Sequence, residues 1–358
     1  MVMGKTAMTK KQQSIEIVST SDLSLSSMGA ASRGALLAML SKHYARVQIT
    51  LVHNLQDLEA LADRSPDLVF LGMKYILVPV VAGMPLQRKI WLAQFLDEHS
   101  IAYTGSNQKA HNLELNKQLA KVRVSTAGVA TAPFFVVPLG GTIPAHTIAY
   151  PLFVKPTNRG GGLGIDAQSL VHTHDELAVK VQSLAAKHQS DALVEEFLDG
   201  REFSVAILKH AYLPTYASMP LELIAPPVTP DGARFLSEQV KCADTETYAA
   251  VTNQALKEEL CTFALRAFHA LGACDYGRID IRLNGDGELR FLEANLIPSV
   301  LEGYGNFPKA CLINRGMKYE LVMLRIVSLA LVRSKNTARP AIDLGELNDP
   351  LVTALIPS

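Results

Sequence analysis

Arg278-Ile279-Asp280-Ile281-Arg282-Leu283, then Asn284-Gly285-Asp286-Gly287, then Phe291-Leu292-Glu293-Ala294-Asn295 at the end of the run that starts at Glu288, reads as a β-hairpin. Two alternating apolar and polar runs flank an Asn-Gly turn. Residues two apart on a strand share a face, so Arg278 goes with Asp280 and Glu293 with Asn295, while Ile279, Ile281, Leu292 and Ala294 turn to the core. Two carboxylates and an amide oxygen make a hard, all-oxygen cluster of the kind that holds Mg²⁺ against phosphates. Arg278 adds a fixed positive fork for developing negative charge. An ordinary salt-bridged hairpin would carry the same residues, so the sequence upstream decides between the two.

Two motifs lie upstream. Val154-Lys155-Pro156 ends a strand and runs into Thr157-Asn158-Arg159-Gly160-Gly161-Gly162-Leu163-Gly164. Glycines let backbone N–H groups close on phosphate oxygens while a lysine neutralises them. The spacing is neither Walker A nor G-x-G-x-x-G, and a flexible hairpin tip beside a surface lysine is the plainer alternative. Further on, Val194-Glu195-Glu196-Phe197-Leu198 and Asp199-Gly200-Arg201-Glu202 set carboxylates at the end of an apolar strand. Buried there they need donors, which a nucleoside supplies through its base amino group and ribose hydroxyls; a solvated strand end would leave them in water.

Composition narrows the partners. The 358 residues carry 34 Lys+Arg against 34 Asp+Glu, which removes the electrostatic case for a nucleic-acid or anionic-membrane binder. With 48 % hydrophobic and 19 % charged residues the chain can bury a large core, and its length predicts two or three domains. The start of the chain is polar and basic (Lys5, Lys10, Lys11), and the longest apolar stretches, such as Leu77–Leu86, fall far short of the ~20 residues that span a bilayer. Cys242, Cys261, Cys274 and Cys311 have neither zinc-ligand nor disulfide-framework spacing, so a reduced, cytoplasmic protein is expected.

Before the motifs, strands at Ile15–Ser19, Val47–Val52, Leu68–Leu71 and Ile101–Tyr103 alternate with helices at Gly29–His43, Leu55–Arg64 and Pro85–His99, predicting a parallel α/β sheet. Its ligand loops would be Thr20–Ser27, which is rich in serine and serves equally as an N-capping loop, and Gly72–Met84. Asn107–Thr126 reads as one long amphipathic helix stopped at Gly128. Phe134–Val137, Leu152–Pro156 and Ala192–Phe197 with helix Asp175–His188 predict a small α+β unit. Leu223–Lys241, with three prolines and Gly232, is long and irregular, as lids are. Helices at Thr252–Leu271 and Met317–Val332 follow, and no function attaches to Asn336 onward.

Asn116-Lys117, Phe153-Val154-Lys155-Pro156 with its glycine loop, Val194–Leu198 with Gly200-Arg201-Glu202, and Arg278-Ile279-Asp280 with Glu293-Ala294-Asn295 together resemble the ATP-grasp fold. Within it they most resemble the D-alanine–D-alanine ligase group of carboxylate–amine ligases, over residues 101–332. The resemblance implies an N-terminal Rossmann-like domain (1–106), a small central α+β lid subdomain (107–196), a C-terminal α+β domain with the metal site (197–335) and a tail (336–358). It implies ATP and two Mg²⁺ ions as cofactors. Lys117 and Lys155 would contact phosphates, with Gly161 and Gly162 closing on the nucleotide. Glu195, Glu196, Phe197 and Leu198 would meet adenine and Glu202 the ribose. Lys241 would be the lid lysine that reaches the terminal phosphate. Asp280, Glu293 and Asn295 would bind metal, and Arg278 would stabilise the acyl-phosphate and tetrahedral species.

The substrate half departs from that group. Gly161-Gly162 stands for a serine pair, Cys242 for a tyrosine, Asp22 is the one acid where a glutamate is expected, Gly72-Met73-Lys74-Tyr75 replaces a His-Gly loop, and Pro298–Tyr304 lacks the carboxylate-binding Gly and Ser pattern. The expectation is an ATP- and Mg²⁺-dependent ligase that joins a small-molecule carboxylate to an amine, with D-alanine not the substrate and a homodimer compatible with this reading. Alternatives are a divergent D-alanine–D-alanine ligase, ligation to a thiol or phosphotransfer, or a non-catalytic ATP-binding regulator.

Overall fold

A computed structural model of the chain describes residues 9–22, 25–26, 28–80, 87–211 and 213–338. Lys5, Ser24, Ser27, Met84, Pro85, Leu86 and the tail from 339 lie outside them. Strand β1 (Lys11–Ser19), helix α1 (Ala30–Leu40), β2 (Tyr44–Leu51), α2 (Leu55–Arg64) and β3 (Leu68–Leu71) form a parallel sheet of order β2-β1-β3. Ile15, Ile17, Leu68 and Phe70 pack on one face of it, Val18, Val69 and Leu71 on the other, as strands covered on both sides require.

The next segment differs from expectation twice. Where one helix was predicted over Pro85–His99, β4 (Tyr75–Pro79) pairs antiparallel with β5 (Gln87–Trp91), and only then does α3 (Leu92–Glu98) begin. Ile76, Val78 and Ile90 feed the core from this hairpin while Leu77 and Lys89 stay outside, a period-two pattern that the helical run masked. Ile101–Tyr103 contributes a single bridge, Val69 to Tyr103, in place of a strand.

The predicted long helix is two, α4 (Gln108–Leu115) and α5 (Lys117–Thr126). Asn116 leaves the helical region (φ −118°, ψ 96°) and its side chain accepts the Leu119 amide, a cap that restarts the helix. β6 (Phe134–Val137), β7 (Leu152–Pro156), β8 (Leu170–Val171), α6 (His174–His188) and β9 (Ala192–Glu196) build a small antiparallel sheet of order β6-β9-β7-β8, backed by α6.

Long strands β10 (Glu202–Lys209) and β11 (Tyr216–Ile224) follow, then α7 (Glu238–Ala243), β12 (Thr247–Ala250), α8 (Gln254–Ala270), β13 (Tyr276–Leu283), β14 (Leu289–Asn295), α9 (Asn306–Arg315) and α10 (Tyr319–Ala338). The antiparallel sheet runs β12-β11-β10-β13-β14. One face packs on α8 and α5; the other shares a core with α9, α10 and the N-terminal sheet. The lid segment ends in α7, so Lys241 stands on a short helix rather than in irregular chain. Cys311 is buried in the shared core, which pushes its thiol up to about 12. Among the described residues no helix is long and apolar enough to cross a membrane.

Candidate active site

The β13–β14 pairing sets Arg278 opposite Asn295 and Asp280 opposite Glu293, then shifts register so that Ile281 faces Phe291. Leu292 is therefore a bulge. Simple alternation sends Leu292 to the core; in the structure Phe291 takes that place beside Ile279, Ile281 and Ala294, and Leu292 lines a pocket with Glu293. Asp280 accepts from Ser204 Oγ (2.8 Å) and Asn295 Nδ2 (3.3 Å) and pairs with the Arg278 guanidinium at 2.8 Å.

That pocket, about 740 Å³ of empty space including its mouth, lies between the small sheet and the five-stranded one. Lys117, Lys155, Gly162, Glu195, Glu196, Phe197, Leu198, Glu202, Lys241, Asp280 and Glu293 all line it. Arg278 and Asn295 are not among its lining residues but each donates to Asp280 beside it, and Gly161 has nothing within 4 Å of its missing Cβ.

Five cationic side chains line the pocket: Lys117, Lys155, Arg159, Lys241 and Arg282. The Asn116 cap puts Lys117 at the start of α5, where its amide donates to Thr157 O (3.1 Å) and its ammonium to Arg159 O, 3.6 Å from Glu293 Oε2 on its other side. Lys155, at the end of β7, pairs with Glu195. Lys121, one turn beyond Lys117, reaches the other oxygen of Glu195 at 2.8 Å. The Glu195 carboxylate is thus spent on orienting lysines. Burial pushes the Glu195 and Glu293 carboxyls up, but the neighbouring cations outweigh it and hold each at about 2: Lys121 and Lys155 for Glu195, and Lys117, Lys241, Lys155 and Arg278 for Glu293. Burial and the charges of Lys155 and Lys241 lower Lys117, against the pull of Glu293.

The inner wall is apolar. Phe153 and Phe197 stack at 6.0 Å, and Phe235 from the lid meets Phe153 edge-on at 5.0 Å. Such a slot suits a flat base. Glu202 is raised by burial despite Arg282 Nη1 at 3.3 Å, and Arg282 also donates to Arg234 O, fastening the lid to β13.

Among the described residues no three His, Cys, Asp or Glu side chains cluster as a metal site. The oxygens present are two carboxylates and one amide on facing strands, ringed by cations, and this donor set fits a hard cation that completes its shell with phosphate and water.

Phe235, Lys121 and Arg282 had no role assigned from sequence. Lys121 is signalled by its i+4 spacing from Lys117; Phe235 is a lone aromatic in a loop. At the substrate end, Lys74 Nζ pairs with buried Glu114 at 2.7 Å, whose same oxygen accepts the Leu296 amide at 2.8 Å, tying the loop after β3 to the end of β14. Cys242 is exposed.

A family model described as D-ala D-ala ligase C-terminus matches residues 124–328. The D-alanine--D-alanine ligase of Syntrophotalea carbinolica is 33 % identical over 241 residues, 66 % of this chain and 73 % of that protein. "Uncharacterized protein y4sG" of Sinorhizobium fredii is 30 % identical over 208 residues, 57 % of this chain, and the match takes in 60 % of that protein, less than two thirds of it. The crystal structure of D-alanine--D-alanine ligase from Bacillus anthracis complexed with ATP superposes with a TM-score of 0.66 at 17 % identity, covering 91 % of this chain and 99 % of that one. The chain belongs to the D-alanine–D-alanine ligase family of ATP-grasp ligases.

Proposed function

We propose that this protein is an ATP- and Mg²⁺-dependent, ADP-forming ligase that joins a carboxylate other than D-alanine to an amine. The observation that supports it is the meeting of Lys117, Lys155 and Lys241 with the Asp280–Glu293 pair around one apolar slot. Phe153, Phe197 and Phe235 sandwich the base, Glu202 takes the ribose, and the three ammonium groups neutralise the phosphates. Asp280, Glu293 and Asn295 would hold Mg²⁺, which would supply neutralisation of the phosphate charge. The substrate carboxylate attacks the terminal phosphoryl group, ADP leaves, and the amine displaces phosphate from the acyl phosphate with loss of a proton. Arg278, held in place by Asp280, stabilises the negative charge that develops on the acyl oxygen. No side-chain nucleophile is required; positioning and charge do the work.

The reading against D-alanine rests on Gly161, Gly162, Cys242, Asp22, the loop Gly72-Met73-Lys74-Tyr75 and Pro298–Tyr304, which depart from the residues with which that group holds a small zwitterion. A second reading, a divergent D-alanine–D-alanine ligase, draws on the names of the relatives. Screening acid and amine pairs for ADP release tests both: robust product from D-alanine alone selects the second, and no turnover with any pair, despite ATP binding, selects a nucleotide-binding regulator.

A further inference from the structure

The lid and the glycine loop are joined through one side chain. Glu238 opens α7, three residues before Lys241 and so on the same side of that helix. Its Oε2 accepts the Gly164 amide at 3.1 Å, and its own amide donates to Ile165 O at 2.9 Å. The opposite edge of Gly164 is equally engaged: its carbonyl accepts from Nζ of Lys180, a fully buried residue of α6 that also pairs with Asp166 at 2.7 Å. The glycine loop is thereby held between a buried lysine of α6 and a glutamate of α7. The fit is close. A Cβ on Gly162 would stand 3.3 Å from Glu238 N, Leu236 O and Lys241 Cδ at once.

We infer that Glu238 is the latch of the lid, a positioning residue that fixes the height of Lys241 over the nucleotide phosphates by bonding the glycine-loop backbone. Because the bond is made to main chain at a glycine, it forms only when the lid lies flat on the loop, and it couples the two phosphate-facing segments into one closing unit. This rests on the reading that Lys241 meets ATP.

The test uses full-length Glu238→Ala, Glu238→Asp, whose carboxylate falls a methylene short of Gly164, and Glu238→Gln, whose amide oxygen still accepts. Hydrogen exchange without nucleotide should speed about tenfold over residues 225–243 and at Gly164 in the Ala and Asp variants, the loss of one charge-assisted bond, and far less in Gln. The Kd for MgATP should rise about tenfold in the same two variants with an unchanged Tm, which a merely structural residue would not produce. Unchanged lid exchange in both Ala and Asp variants overturns the latch, as does faster exchange with unaltered MgATP affinity. Absence of MgATP binding by the wild-type protein overturns the nucleotide reading instead, and the exchange result then decides the latch by itself.

Discussion

Nζ of Lys121 lies 2.8 Å from Oε2 of Glu195, with the two side chains 0 % and 3 % exposed, and Lys155 takes the other oxygen. One carboxylate therefore balances two buried ammonium groups, Lys155 in the pocket wall and Lys121 outside it. Glu195→Gln removes the charge and leaves both lysines buried without a counterion, which should destabilise the fold by about 3–5 kcal/mol. The native carboxyl sits at about 2 against an ordinary 4.5, so its contribution is complete above pH 4.5 and is lost as the pH falls through 2. Thermal unfolding of both proteins against pH checks this: the wild-type advantage should be constant near neutrality and shrink steadily in acid.

Asp280→Asn and Asn295→Ala should each cut turnover by more than about 100-fold while leaving weak nucleotide binding, since each would remove a proposed metal ligand without emptying the core. ADP release at saturating Mg²⁺ measures it; near-normal rates in either variant would remove the metal assignment.

The two loop glycines should separate. Both have positive φ, 67° at Gly161 and 77° at Gly162, so alanine strains either by about 1–2 kcal/mol. Gly161 faces open space, whereas a Cβ at Gly162 presses on the lid backbone. Gly162→Ala should raise KM for ATP well beyond the effect of Gly161→Ala.

Glu114→Ala leaves the Lys74 ammonium and the Leu296 amide without their shared acceptor in a buried position, and should destabilise by about 3 kcal/mol. Denaturant unfolding of Glu114→Ala and of the double variant with Lys74→Met should show the second change restoring part of the loss.

With D-alanine and MgATP as sole substrates, ADP formation should be negligible. Each missing hydrogen bond to a charged group is worth roughly 1.5–3 kcal/mol, and the proposed substrate reading removes two or three. A coupled assay at millimolar D-alanine measures it, and formation of D-alanyl-D-alanine would reverse the substrate reading.

Period-two alternation and tight turns are local properties, and they made the β13–β14 hairpin, the glycine loop and the first three parallel strands legible from residue order alone. The Asn116 cap was equally local, and only the apolar periodicity running across it joined α4 to α5. The β4–β5 hairpin was not legible, because Gln87–Trp91 carries no turn signal of its own and becomes a strand by pairing with β4. Leu292 turned to the pocket because a register shift against β13 outweighed its own parity. Lys121 reaching Glu195, Phe235 closing the aromatic slot and Glu238 bonding Gly164 join residues 74, 82 and 74 apart, by subtraction of their numbers. Residue order determined which groups this protein has and which face of a strand or helix each prefers. Which of them meet was decided by the packing of whole sheets and helices, since burial energy belongs to the assembled core and no short segment carries it.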